Sequence, residues 1–381
     1  MHWTRSHTSS DSTNPNAPVQ STDLDALISR HSASSLTYLD DPYTTHFIPS
    51  SVRRAGGSAV SRPALINLGT HARTWAVDQV VQGFLWETEE EDDASARGGE
   101  GRESGGGDPP RRPRRPGRRR RQVLSIGAGT DTRYWRMRDK WMQAVEGSTQ
   151  QEWEHHVSWV EVDFEETTGA KARIVATKPS LKVGIGESLK IERGGHALSS
   201  KSYTLIPGDL RDLSTTLGPY LLSSNPFPSR SEPLLDPTLP TLLLAECVLV
   251  YVPPETTREI LTWFSKTFKG GGGSMIGYDP FNFEDAFGKV MVRNLATRYL
   301  FLPAASSTPT LESLNARLKE NGFAQAESRT IEQIRQGVIP LEEIQRVNRL
   351  EQIDEVEELN LVLAHYAITI GNVNGDEGVG F

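Results

Sequence analysis

The stretch Gln122-Val-Leu-Ser-Ile-Gly-Ala-Gly-Thr-Asp-Thr-Arg-Tyr-Trp-Arg-Met137 decides how the rest of the chain is read. Its first half is an apolar run of strand length, its middle is Gly127-Ala128-Gly129, and its second half has the composition of a helix. A strand passing through glycines into a helix places backbone without Cβ atoms where a ligand can approach closely. The dinucleotide fingerprint G-x-G-x-x-G is incomplete, because position 132 is Thr. A pyrophosphate needs that helix N-terminus directly, whereas a sulfonium donor with an amino-acid end has no phosphates to cradle. The turn therefore favours S-adenosylmethionine over NAD.

Working outward, VSWVEVDFEE at 157–166, YTLIPGDLRDL at 203–213, TLLLAECVLVYVPPE at 241–255 and SMIGYDPF at 274–281 each contain a short strand-like run. Helical stretches alternate with them, among them TTGAKARIVAT, PETTREILTWFSKTF and NFEDAFGKVMVRNLATRYL. Alternation of this kind predicts an α/β fold with a mostly parallel sheet covered on both faces. In the last third, PTLESLNARLKENGF reads as a helix, LEEIQRVNRLEQIDEVEEL as one acidic helix, and NLVLAHYAITI as a final strand running antiparallel. Segments 176–200 and 222–239 read as surface insertions, and no internal repeat is evident.

Upstream, residues 1–22 are rich in Ser, Thr, Asn and Pro and read as a disordered lead without the apolar core of a secretory signal. Residues 23–86 form a helical lid segment: a short helix and turn from Asp23, then an amphipathic helix over 63–86 whose N-terminal turn carries His71 and Arg73. Residues 87–121 join an acidic block, a glycine-rich stretch and RRPRRPGRRRR. Like charges in blocks repel and bury little apolar surface, so a disordered surface loop is expected, with a nuclear-localisation or RNA-contact role as the alternative. The core domain then runs over 122–370, with 371–381 as a tail.

The 381 residues carry 36% hydrophobic and 24% charged side chains and a formal net charge of -8, which argues against general nucleic-acid affinity. One cysteine, Cys247, permits no intrachain disulfide, and no apolar run reaches membrane-spanning length. A reducing, cytoplasmic location and a monomer are expected, and no metal site is.

Candidate ligand residues fall at successive strand ends. Asp163 ends the second strand, where a carboxylate accepts ribose hydroxyls. Asp209, at the end of the third, suits an adenine amino group, with Leu210 against the base. Glu246 sits in the apolar run LLLAECVLVY, and a buried carboxylate must be hydrogen-bonded, neutralised or used as a ligand site. Singly, each acid is more often a cap or turn former. Together they point to the crevice at the carboxyl ends of a parallel sheet. Cys247 reads as a small core residue rather than a nucleophile.

The strings NLGTHARTWAVDQVVQGFL, VLSIGAGTDTRYWR, VEVDFEE, IPGDLRDL, PTLLLAECVLVYVPPE and FNFEDAFGKVMVRNL resemble, in the same order, the diagnostic blocks of the leucine carboxyl methyltransferases. The resemblance spans most of residues 23–368 outside the insertions. It implies a Rossmann-like class I methyltransferase sheet with a helical lid, S-adenosylmethionine as donor, and the C-terminal leucine carboxylate of the type 2A protein phosphatase catalytic subunit as acceptor. It carries cofactor contacts onto Arg30, Arg73, Gly127, Asp163, Asp209, Leu210 and Glu246. Arg73 and Tyr251 are the candidates for handling the acceptor, Arg73 by holding either the donor's carboxylate or the incoming one. Three positions depart from the family: Arg30 stands where a Lys is usual, His71 where Tyr or Phe is common, and Leu68 where Arg is frequent. Two other readings stand beside this one: a carboxyl methyltransferase of a hypermodified tRNA guanosine, and a non-catalytic donor-binding regulator.

Overall fold

The apolar run after the arginine-rich segment forms β1 (Arg121–Ile126), buried along its whole length. Burial on both faces requires neighbours on both edges, and β1 has them. It pairs in parallel with β2 (Val157–Asp163) on one side and with β6 (Thr241–Glu246) on the other. Beyond β2 lies β5 (Tyr203–Pro207), and beyond β6 lies β7 (Gly273–Pro280), both again parallel. The computed structural model describes residues 14–86, 119–145, 147–354, 356–375 and 378–381.

Antiparallel strands close both edges. The short β3 (Lys190–Glu192) and β4 (Ala197–Ser199) extend the sheet past β5, while β9 (Tyr366–Asn372) and then β8 (Gln325–Thr330) extend it past β7. Among the described residues the sheet has nine strands, in the order β3-β4-β5-β2-β1-β6-β7-β9-β8. The fold is therefore α/β with a mostly parallel sheet and an antiparallel final strand, as expected. After β1 and β2 the chain runs to the edge strand β3, comes back inward through β4 and β5, and then crosses to lay β6 against the other edge of β1. Strand order reverses there, and the crevice above β1 and β6 is where such sheets hold ligands.

Strand alternation divides the core into two layers. Val123, Trp159, Leu242 and Leu244 face the long helix Ala64–Trp86 and the helix Arg133–Ala144. Leu124, Val160, Leu243 and Ala245 face the helix Pro254–Thr267 through Ile260, Leu261 and Phe264. On the first face Tyr134, Trp135, Trp153, Trp159 and Tyr203 pack ring against ring. The Trp135 indole donates to the Leu181 carbonyl at 2.9 Å, so its one polar atom is satisfied inside the core. A buried ion pair, Lys171 to Glu161 at 2.6 Å, joins the helix Glu165–Thr177 to β2, and the Tyr203 hydroxyl donates to the same carboxylate.

Several boundaries differ from the sequence reading. The first helix begins at Ala17, inside the stretch read as a disordered lead, and runs to Ser35 as 19 residues rather than as a short helix. Pro18 sits in its first turn, where the missing N–H costs nothing. The helix Ala64–Trp86 begins one residue after its expected start, and His71 and Arg73 fall in its third turn, not its first. Segment 176–200, read as an insertion, supplies β3 and β4, and β4 is fully buried. The acidic helix is two helices, Leu341–Asn348 and Val356–Ala364, and the second takes Asn360–Ala364 from the expected final strand. Leu359 and Leu363 recur at helical spacing on its buried side, and that periodicity prevails over the apolar run. The strand β9 in turn extends to Asn372, two residues into the expected tail. Of the insertion placed at 87–121, Arg121 opens β1 and residues 87–118 lie outside the described residues. No described helix is long and apolar enough to cross a membrane.

Candidate active site

The carboxyl ends of β1, β2, β6 and β7 open into a cleft of about 600 Å³, roofed by the helices Ala17–Ser35 and Ala64–Trp86. That size is within the range of small-molecule and cofactor sites. Arg30, Arg73, Gly127, Asp163, Asp209, Leu210, Glu246 and Tyr251, the eight residues singled out from sequence, all line it.

Gly127 and Gly129 both adopt left-handed backbone, with φ of 59° and 47°, so the turn after β1 can be made without strain only by residues lacking Cβ. A Cβ at Gly127 would lie 2.5 Å from Cγ2 of Val248, and one at Gly129 would collide with the Asp23 carboxylate. Asp163, the last residue of β2, accepts the Gly129 N–H and the Phe164 N–H at 2.7 Å each. Burial pushes its carboxyl pKa up to about 6, against the pull of those two N–H bonds. Asp23 accepts the Thr130 N–H at 2.8 Å and so pins the first helix to the turn.

Asp209 caps a short 3-10 turn, accepting the Arg211 N–H at 2.9 Å. The Arg211 guanidinium grips the same carboxylate, Nε lying 2.9 Å from Oδ1, which holds Asp209 below the ordinary carboxylate range. A carboxylate has about four lone-pair sites, so this engagement leaves room for one further donor.

Glu246 ends β6 between two guanidiniums. Arg73 Nε donates to its Oε1, and Arg133 Nη1 donates to Oε2 at 3.0 Å. Burial alone would raise the Glu246 pKa, but Arg73 and Arg133 outweigh it and the group is held ionised. The Arg73 guanidinium also lies over the Tyr278 ring, 4.3 Å from its centroid, so it is held on its flat face as well as at its edge. Beneath, Arg133 Nε reaches Asp78 at 2.8 Å, Arg136 also binds Asp78, and Asp131 pairs with Arg133. Arg30 donates to Thr130 Oγ1 at 3.0 Å and stands 3.5 Å from Asp131.

Beyond Glu246 the chain turns sharply. Cys247 is left-handed, with φ of 61°, and Leu249–Tyr251 follow as a 3-10 turn. Asp279, at the end of β7, accepts the Val250 N–H at 3.4 Å and steadies this turn. Burial pushes the Cys247 thiol up to about 12, so at neutral pH it is a protonated wall of the cleft and not a nucleophile. Burial likewise drives the Tyr251 phenol far above its ordinary value, which keeps its O–H a donor.

Sequence reasoning missed Asp23, Asp131, Arg133, Tyr278 and Cys247 as parts of this site. The string Asp131-Thr-Arg133 carried a signal, since two opposite charges stood at the start of a helix otherwise headed for the core. Asp78 on the apolar face of the 64–86 helix was another, because a carboxylate there demands a buried cation. His71 does not line the cleft. Its imidazole meets Glu343 at 2.7 Å and ties the helix Ala64–Trp86 to the helix Leu341–Asn348. Leu68 is a core residue.

The donor set suits a nucleoside carrying an amino acid. Of the charged network, Arg30 and Arg73 face the cleft beside Asp131 and Glu246. An α-amino-acid group carries one charge of each sign, and this rim presents partners for both. Asp163 and Asp209 lie on the other side of the glycine turn, where a nucleoside would extend.

A family model described as leucine carboxyl methyltransferase matches residues 116–265. Among solved structures, a putative methyltransferase from Thermobifida fusca aligns over 93% of this chain and 94% of its own, with 11% identity and a TM-score of 0.46. Leucine carboxyl methyltransferase 1 of Cryptococcus neoformans var. neoformans serotype D is 36% identical over 386 residues, covering 93% of this chain and 92% of that protein. The Rattus norvegicus protein of the same name is 30% identical over 364 residues, covering 94% and 91%. At that identity and coverage, with the strand-end cleft in place, the chain belongs to the leucine carboxyl methyltransferase family.

Proposed function

We propose that this methyltransferase esterifies the C-terminal leucine carboxylate of the type 2A protein phosphatase catalytic subunit, acting as a cytoplasmic monomer. The observation that carries the reading is the joint placement of Arg73, Gly127, Asp163, Asp209 and Glu246 around one cleft at the strand-order reversal. S-adenosylmethionine supplies a methyl group on a cationic sulfur, which a carboxylate oxygen displaces in line, the C–S electron pair staying with sulfur.

Asp163 accepts the ribose hydroxyls with the lone pairs that Gly129 and Phe164 leave open. Asp209 and Leu210 hold the adenine, by a hydrogen bond and by contact. Arg30, Arg73 and Glu246 hold the amino-acid end. A C-terminal carboxylate has a pKa of about 3.5 and is ionised at neutral pH, so no general base is required. The residues must desolvate one oxygen, align it, and leave it nucleophilic. A neutral hydrogen-bond donor meets the last demand better than a second cation, and Tyr251, protonated and in the cleft wall, is that donor.

The reading is tested by radiolabel transfer from S-adenosylmethionine to purified phosphatase catalytic subunit, beside a subunit lacking its terminal leucine and a tRNA pool. Base-labile label confined to the intact tail is the expected result. Label on tRNA would replace the reading with the nucleoside alternative, and donor binding without transfer to either would favour a binding-only protein.

A further inference from the structure

One lip of the cleft gathers several exposed apolar side chains beside its mouth. The helix Ala286–Ala296 and the turn after it contribute Leu295, Arg298, Leu300 and Pro303 to the cleft wall. Yet of the helix's 11 residues only Gly288 is buried. Val290 is 48% exposed, and Tyr299 and Phe301 are 74% and 66% exposed on either side of Leu300, which is buried. Tyr299 is also left-handed, with φ of 58°, a conformation that costs a bulky side chain energy. A chain that wanted only to bury Leu300 would place polar residues beside it. The lip also carries Lys289 and Arg293, while its Arg298 is paired with Asp25 of the first helix, in a chain of net charge -8. Lys289 and Arg293 are exposed.

We propose that this lip is the docking surface for the folded body of the acceptor protein, which meets it with an acidic patch surrounding apolar residues. The proposal rests on the functional reading above. A tail whose last residue occupies the cleft leaves through the mouth, so the domain it belongs to stands over the rim. Exposed aromatic side chains are the usual anchors of such contacts, and a local basic field in an otherwise acidic protein steers an acidic partner to this edge. Tyr299 and Phe301 are the anchors, and Lys289 and Arg293 supply the field.

The test compares the wild type with Tyr299→Ser/Phe301→Ser and with Arg293→Glu, using intact phosphatase catalytic subunit as acceptor. For the double variant KM for the protein rises about tenfold or more, as for loss of interface anchors. Its kcat at saturation, its donor Kd by calorimetry and its Tm stay within about twofold or a few degrees of wild type. For Arg293→Glu, kcat/KM falls and its decline with added salt flattens. Label on the phosphatase with unchanged KM in the double variant would overturn the docking surface alone. No label on the phosphatase from wild-type enzyme would overturn the functional reading and the docking surface with it.

Discussion

Removing Arg73 strikes the cleft at the point where its charges balance. In Arg73→Ala, Glu246 loses the partner at Oε1 but keeps Arg133 at 3.0 Å on Oε2. Breaking a fully buried pair costs about 3–5 kcal/mol, but the Arg73 side chain is 25% exposed and Arg133 remains, so about 1–2 kcal/mol of stability is expected. Loss of the guanidinium from the Tyr278 face adds about 0.5–1 kcal/mol. The protein stays folded, with a Tm lower by several degrees. Function suffers more, because a desolvated charged contact to a ligand carboxylate is worth about 2–5 kcal/mol, or roughly 30- to 4000-fold. Calorimetry with S-adenosylmethionine and label transfer under saturating donor divide that loss. A donor Kd raised by that factor places Arg73 on the methionine carboxylate, while an unchanged donor Kd with a raised acceptor KM places it on the incoming leucine. Arg73→Lys keeps the charge but loses the planar fork and the ring contact, and recovers only part of either loss. Wild-type turnover in Arg73→Ala would refute the assignment, while a variant that fails to fold would show that the retained Arg133 contact had been overvalued.

Four further outcomes follow from particular contacts. Asp163 has its carboxyl raised to about 6, so donor affinity falls as pH drops through about 6 and its receiving lone pairs are protonated; Asp163→Asn should bind weakly and without that pH dependence, and a flat wild-type profile between pH 5 and 8 would refute the ribose role. The same shift makes ionised Asp163 a liability to the free fold, so its contribution to stability is full below about 3.8 and is lost as pH rises through about 6, a window that donor binding should narrow in melting curves. Gly127→Ala forces a Cβ to 2.5 Å from Val248 at a φ of 59°, costing about 1–3 kcal/mol by chemical denaturation and displacing the donor; normal donor affinity would show that the turn has slack. Lys171→Met strands Glu161 beneath the sheet with only the Tyr203 hydroxyl, costing about 3–5 kcal/mol, and Lys171→Met/Glu161→Gln should regain part of it in urea melts.

The apolar strands, the glycine turn and the acids at strand ends were legible in the sequence because each is a local pattern. Periodicity reports which face is buried, and a glycine pair or a carboxylate in an apolar run reports a local demand that the fold must meet. Those cues pointed Gly127, Asp163, Asp209, Leu210 and Glu246 to a single cleft, whereas Arg30 and Arg73 were placed there only by the family resemblance. Where a segment's state depends on what packs against it, the local cue failed. Asn360–Ala364 looked like strand and is helix, because Leu359 and Leu363 found an apolar face to cover. Segment 176–200 looked like a loop and is a sheet edge, because β5 had an open side. The charge network is the clearest case: Asp78, Asp131, Arg133 and Glu246 lie in four separate elements, and which carboxylates the Arg133 guanidinium answers is settled only when the helix Ala64–Trp86, the turn after β1, the helix Arg133–Ala144 and the end of β6 converge. Composition and spacing thus determined the sheet, the crevice and the kind of ligand it takes, whereas long-range packing decided the ion pairing, the exposed lip at residues 286–303, and the bland role of His71.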